Sequence, residues 1–167
     1  LEPLIFDPAV DAMNVSLDAK GDLIADSANN FYGRGLTHKE VEAFYADMKK
    51  NGGDRPPMFG LNSKLVKTAD GKIEERLWKV GGMYGQALEK SVAHLEAALP
   101  FVENDSQKAW LEALIKYYKT GDIADFDTFN VAWVKDTNST VDLIHGFIES
   151  YGDAVDMRGS YEAIVQV

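Results

Sequence analysis

From Tyr84 to Trp133 apolar residues recur every third or fourth position, and beyond Asn138 they recur every second one. The first period buries one stripe of a helix, and the second gives a strand with two unlike faces. A single change of period sorts helices and strands into separate stretches, the pattern of an α+β arrangement that is mostly helical. Ahead of the switch, Tyr84, Leu88, Val92, Leu95 and Leu99 mark a helix from about Gly82 to Leu99, closed by Pro100. Asn104 opens another that carries Trp110, Leu111, Leu114, Ile115, Tyr117 and Tyr118 and stops at Gly121. A further segment, Asp125 to Lys135, holds Phe126, Phe129 and Trp133. After the switch, Val141, Leu143, His145, Phe147, Glu149 and Tyr151 are expected on one face of a strand. Gly152 to Gly159 then forms a broad connection, and Ser160 to Val167 a returning strand.

Before these helices the chain is punctuated by turn formers: Pro3, Pro8, Asn14, Gly21, Asn29, Asn30, Gly33 and Gly35. Thr37-His-Lys-Glu40 fits a capping box, and Val41, Phe44, Tyr45 and Met48 follow as an amphipathic helix that stops at Gly52-Gly53. Pro56-Pro57 enforces an extended loop. Leu61 to Lys67 and Lys72 to Val80, joined across Ala69-Asp70-Gly71, read as a short hairpin.

Length and charge narrow the functions open to such a chain. Its 167 residues suit one domain. With 17 Lys plus Arg against 27 Asp plus Glu, the net charge is −10, which speaks against a nucleic-acid partner. No apolar run reaches the roughly 18–20 residues of a membrane helix. The absence of Cys removes disulfides, thiolate metal sites and cysteine nucleophiles. The chain begins at Leu1 and ends inside Tyr161–Val167, which reads as a strand still in progress. It is therefore expected to be a piece of a larger protein, so the lack of a targeting signal leaves its compartment open.

Most familiar chemistries lack their residues. His38, His94 and His145 are dispersed and form no His-Glu-x-x-His pair. There is no Gly-x-Ser-x-Gly elbow and no phosphate-binding Gly-rich loop; Gly33-Arg-Gly35 is too short. Asp18-Ala-Lys-Gly-Asp22 has the outline of a calcium loop without the remaining ligands, and reads as a turn. Asp122, Asp125 and Asp127 suit a helix first turn, where the dipole favours carboxylates. Asn14-Val-Ser16 and Asn138-Ser-Thr140 match a glycosylation sequon that short sequences satisfy by chance. Trp110, Tyr117 and Tyr118 fit core packing better than a stacking platform. Glu149, Tyr151 and Glu162 stand out, because polar groups interrupt otherwise apolar strands. Two readings stay open: a merely wet edge, or a cleft wall where a carboxylate meets a cation such as a peptide amine.

The block Phe147-Ile148-Glu149-Ser150-Tyr151, followed by Asp153, Arg158-Gly159 and Glu162, resembles the substrate-cleft segment of the dipeptidyl peptidase III family of zinc metallopeptidases. Leu61-Asn-Ser-Lys-Leu-Val-Lys67 and the stretch from Trp78 to Leu95, with Gly82-Met-Tyr84 and Leu88-Glu-Lys90, agree with it. Ser27 to Gly33 resembles bacterial members, and the similarity runs along the chain in register.

The resemblance implies a two-lobed enzyme that removes dipeptides from the N-terminus of short peptides. The whole chain, Leu1 to Val167, would be one fragment of the lower, substrate-binding lobe, its C-terminal antiparallel strands belonging to a partial β-barrel. By the same match Glu149 would bind the substrate α-amine, Tyr151 would hydrogen-bond the substrate backbone, and Glu162 would be a further cleft carboxylate. Zinc would sit in the upper lobe of the longer protein. The family's His-Glu-x-x-Gly-His motif is absent from this chain, so no metal and no independent activity are expected of it. Asp153-Ala154 also replaces the family's usual Asp-Pro. The alternative is a non-catalytic peptide-binding or adaptor domain that shares this lobe. Oligomeric state is not legible.

Overall fold

Among the described residues, three of the four helices open on a side chain that takes up a first-turn amide, and the other starts late because it has none. The computed structural model describes residues 15–27, 31–54 and 56–167. The turn formers Pro3, Pro8, Asn14, Asn29 and Asn30, the Asn14 sequon and part of the Ser27–Gly33 stretch lie outside them.

Helix α1 (His38–Asn51) begins with the expected capping box: the Thr37 hydroxyl accepts from Glu40 N–H at 3.3 Å, and Glu40 accepts from Thr37 N–H at 3.1 Å. Strands β1 (Ser63–Lys67) and β2 (Ile73–Leu77) form the expected hairpin, paired from Ser63↔Leu77 to Lys67↔Ile73. Helix α2 (Gly85–Ala98) starts three residues after the expected Gly82. Gly82 and Gly85 are spent in consecutive turns, donating to Lys79 and Gly82 carbonyls, and Tyr84 sits at φ 61° with no side-chain cap. A 3-10 turn (Leu99–Phe101) around Pro100 follows.

Helix α3 (Asp105–Thr120) is capped by Asn104, whose side chain accepts from Gln107 N–H at 2.9 Å. It ends where Gly121 turns left-handed at φ 71°. Helix α4 (Ile123–Lys135) opens two residues before the expected Asp125, since Asp122 accepts from Ala124 N–H at 2.9 Å. Asp125 is instead buried and accepts from Lys116 and Thr120.

Strands β3 (Asp142–Glu149) and β4 (Ser160–Gln166) pair antiparallel. Among the described residues the strands make two separate two-stranded sheets and no closed barrel, so the fold is α+β with four helices.

The helical stripes converge on one core. Leu88, Val92 and Leu95 of α2 meet Trp110, Leu114, Tyr117 and Tyr118 of α3, and Phe126 and Phe129 of α4. Trp110, Tyr117 and Tyr118 are only 1–2% exposed, which makes them core and not a platform. Burying each such side chain contributes roughly 1.5–3 kcal/mol. A second cluster gathers Val41 and Tyr45 of α1 with Ile24, Tyr32, Leu36 and Leu65. Ribbon β3–β4 joins the first cluster through Phe147. Among the described residues no helix is long and apolar enough to cross a membrane.

Candidate functional site

The β3–β4 ribbon does not alternate along its whole length. Pairing is regular from Asp142↔Gln166 to Phe147↔Tyr161, and then jumps to Glu149↔Ser160, leaving Ile148 as an extra residue in a bulge. Residues paired across two strands share a face, and consecutive residues on one strand face opposite ways. Phe147 and Glu149 are therefore on opposite faces, because their partners Tyr161 and Ser160 are neighbours. Glu149 joins the face of Glu162, which pairs with Gly146. This corrects the expected single face, which aligned Glu149 with His145 and Phe147. Tyr151 is corrected too: β3 ends at Glu149, and Tyr151 lies in the following turn, 68% exposed.

The bulge has a local cause. A Cβ added at Gly159 would lie 2.7 Å from the Phe147 carbonyl carbon and 2.8 Å from Ile148 N, so this glycine is pressed against the bulged backbone. Its own N–H donates to Leu61 O at 2.8 Å. The returning strand thus starts at a point held from both sides.

The connection between the strands is closed by Asp153. Its carboxylate accepts from the backbone N–H of Val155, Met157 and Arg158, and from the Tyr32 hydroxyl at 2.8 Å. Arg158 is wholly buried, its guanidinium 4.4 Å from the Tyr32 ring centre and 5.4 Å from that of Tyr45. It donates to the Tyr32 oxygen at 2.9 Å and to the Tyr45 oxygen at 2.6 Å. The Tyr45 hydroxyl in turn donates to Glu75 at 2.6 Å, and Ser63 donates to the same Glu75 oxygen at 2.7 Å. Each tyrosine therefore stands between the cation and a carboxylate. Burial pushes both phenols well above their usual pKa, which keeps their protons in place. Sequence reading gave Arg158 no role, since Tyr32 and Tyr45 lie 126 and 113 positions away. The one local signal is Asp153 placed five residues before it, the span of a loop closing on itself.

On the opposite face of the ribbon His145 stands between two phenols. The Tyr118 hydroxyl lies 2.6 Å from Nδ1, and the Tyr161 hydroxyl 2.9 Å from Nε2. Burial lowers the His145 pKa, which favours the neutral ring. This face also borders a cavity of about 640 Å³ lined by Trp78, Tyr84, Leu88, Ser91, Phe147 and Tyr161, among others. Glu149, Tyr151 and Glu162 do not line it.

The structure brings Glu149 and Glu162 to one face and leaves Tyr151 on the adjoining turn. Within the described residues no side-chain hydrogen bond or ion pair engages any of the three. Two unpaired carboxylates on one face favour a cationic group, and a hydrogen bond to an ammonium is about twice as strong as one between neutral groups. Among the described residues no group of three or more His, Cys, Asp or Glu could hold a metal ion. His38 lies in a helix first turn, His94 on an exposed helix flank, and both nitrogens of His145 are occupied.

Comparison with known proteins gives the family of the stretch that carries these residues. The model of peptidase family M49 matches residues 61–167. Dipeptidyl peptidase 3 of Dictyostelium discoideum is 35% identical over 88 residues, 53% of this chain and 13% of that protein. The Homo sapiens protein of the same name is 34% identical over 86 residues, 52% of this chain and 12% of its own. The matched stretches thus span only a small part of these curated relatives. Dipeptidyl-peptidase III from Corallococcus sp. strain EGB superposes with a TM-score of 0.63 at 22% identity, over 81% of this chain and 24% of that one. DPP III from Caldithrix abyssi gives 0.63 at 20% identity, over 93% and 28%. At these identities the structural likenesses speak to fold.

Proposed function

The chain belongs to peptidase family M49, and on that premise we propose that it forms substrate-binding structure of a dipeptidyl peptidase acting on the N-terminus of short peptides. The observation that carries this reading is the pair of unpaired carboxylates, Glu149 and Glu162, on one face of a bulged ribbon inside the family-matched stretch. Glu149 takes the substrate α-ammonium, and the position of that charge counts off two residues to the scissile bond. Tyr151, exposed on the adjoining turn, donates to a substrate carbonyl. Glu162 adds negative potential on the same face and draws the ammonium toward it. The ribbon's edges, unpaired among the described residues, suit a partial barrel completed by other parts of the longer protein.

Zinc, which the family resemblance implies, does not fit the residues of this chain: the described residues offer no set of three ligands. Its ligands belong to other parts of the longer protein, and the present chain alone binds peptide without cleaving it.

The test is Glu149→Gln in the full-length protein, assayed on a dipeptidyl arylamide. Removing a charge-assisted hydrogen bond of about 1.5–3 kcal/mol is expected to lower kcat/KM on the order of 10- to 100-fold. KM should rise and kcat fall together, because the anchor also sets the position of the reacting bond. An unchanged kcat/KM removes the anchor role.

A further inference from the structure

The loop between β3 and β4 ends on a buried cation that the proposed site does not touch. A buried guanidinium is expensive to desolvate, and replacing such a charge by apolar packing is often neutral or stabilising. Arg158 is 0% exposed and is held in detail: two tyrosine oxygens accept from it, and each tyrosine passes a hydrogen bond to a carboxylate, Asp153 or Glu75. Those partners come from the segment at Tyr32, from α1, from the β1–β2 hairpin and from the loop itself, so one side chain ties four parts of the chain together. The hairpin side also closes around it, since a Cβ on Gly60 would lie 3.3 Å from the Arg158 Nη1 and 3.1 Å from the Tyr45 hydroxyl.

The next residue transmits this anchoring. Gly159 follows Arg158 directly, donates to Leu61 O, and lies against the Phe147–Ile148 backbone at the bulge. The bulge in turn decides which face Glu149 occupies. We infer that Arg158 is a positioning residue for Glu149: its seat between Tyr32 and Tyr45 pins Gly159 against the bulge and so holds Glu149 on the face of Glu162. This rests on the reading of Glu149 as the amine anchor. A shift of about 1 Å at such a contact can cost on the order of 100-fold in rate, so the seat has functional leverage without touching substrate.

The experiment uses the full-length peptidase and two competitive inhibitors, a dipeptide amide and its N-acetylated form. Their ratio of inhibition constants reports the amine contact alone. Loss of folded enzyme lowers the maximal rate and leaves that ratio untouched. Tyr32→Phe removes the hydroxyl between Arg158 and Asp153, and Arg158→Lys keeps the charge while losing the planar two-point hold. Both are expected to shrink the ratio several-fold. Glu149→Gln is the control and should bring the ratio close to one. If Glu149→Gln does so while both other variants keep the wild-type ratio, the positioning role is overturned and the anchor stands. If Glu149→Gln leaves the ratio unchanged, the anchor fails and the inference falls with it. Should Arg158→Lys not fold, Tyr32→Phe decides by the same two outcomes.

Discussion

His145 shows how one side chain can make a contact between elements depend on acidity. A neutral imidazole donates from one nitrogen and accepts at the other, and this ring uses both on the phenols of Tyr118 in α3 and Tyr161 in β4. The charged ring would donate from both, so the phenol that had donated to the ring must find another acceptor. Burial sets the His145 pKa below its ordinary value of 6.5, so the unfolded chain binds the proton more readily than the folded one. The sign follows from linkage: the contribution is complete above about 6.5 and is lost as pH falls through the lower, folded-state value. Thermal melts of the full-length protein should therefore show a falling Tm between pH 7 and pH 5, and His145→Asn should flatten that slope. Equal slopes in the two proteins would show that the ring's titration is not linked to folding. Carboxylates with lowered pKa, such as Asp22 and Glu103, act at more acid pH and are common to both melts.

At the level of the elements, the helices differ in how openly their ends are written. Thr37 and Glu40 satisfy each other's amides in α1, so Thr37→Ala should destabilise by about 1 kcal/mol, with Thr37→Ser close to wild type. Denaturant midpoints for the two variants would check this, and equal midpoints would mean that tertiary packing and not the box sets the boundary. That box was legible in the sequence, as were Asn104 and Gly121 at the ends of α3, because caps are local chemistry. The start of α2 was not, since two glycines and a left-handed Tyr84 absorb residues that the apolar period counts as helix. The same limit applied at the candidate site. Glu149, Tyr151 and Glu162 stood out as polar interruptions, yet the face that Glu149 occupies depends on Gly159 lying against Phe147, twelve positions away. Alternation along β3 carries no trace of that contact. Arg158 was hidden for a related reason, because its tyrosines belong to a distant part of the chain.

For the molecule as a whole, the β3–β4 ribbon stands out because it leaves apolar side chains exposed on both faces. Ile144 and Ile164 on one face, and Tyr161 and Val165 on the other, are between 38% and 65% exposed. A two-stranded sheet with free edges and apolar side chains is marginal alone and pairs readily with further strands. The isolated chain is expected to associate through β4 as concentration rises, and Val165→Lys should shift it toward monomer in sedimentation velocity. A concentration-independent monomer for the unsubstituted chain would show that this edge is protected as it stands.

The bulge at Ile148 turns spacing into information. Whether Glu149 lies with Glu162 or on the face of Phe147 is decided by the one extra residue between Phe147 and Glu149, against which Gly159 is packed. Without the bulge Ile148 would stand opposite Ser160, and Glu149 would turn to the face of Phe147 with every side chain still present. Gly159→Ala, whose Cβ would meet the Phe147–Ile148 backbone, is the single substitution that reaches this constraint without altering any polar side chain.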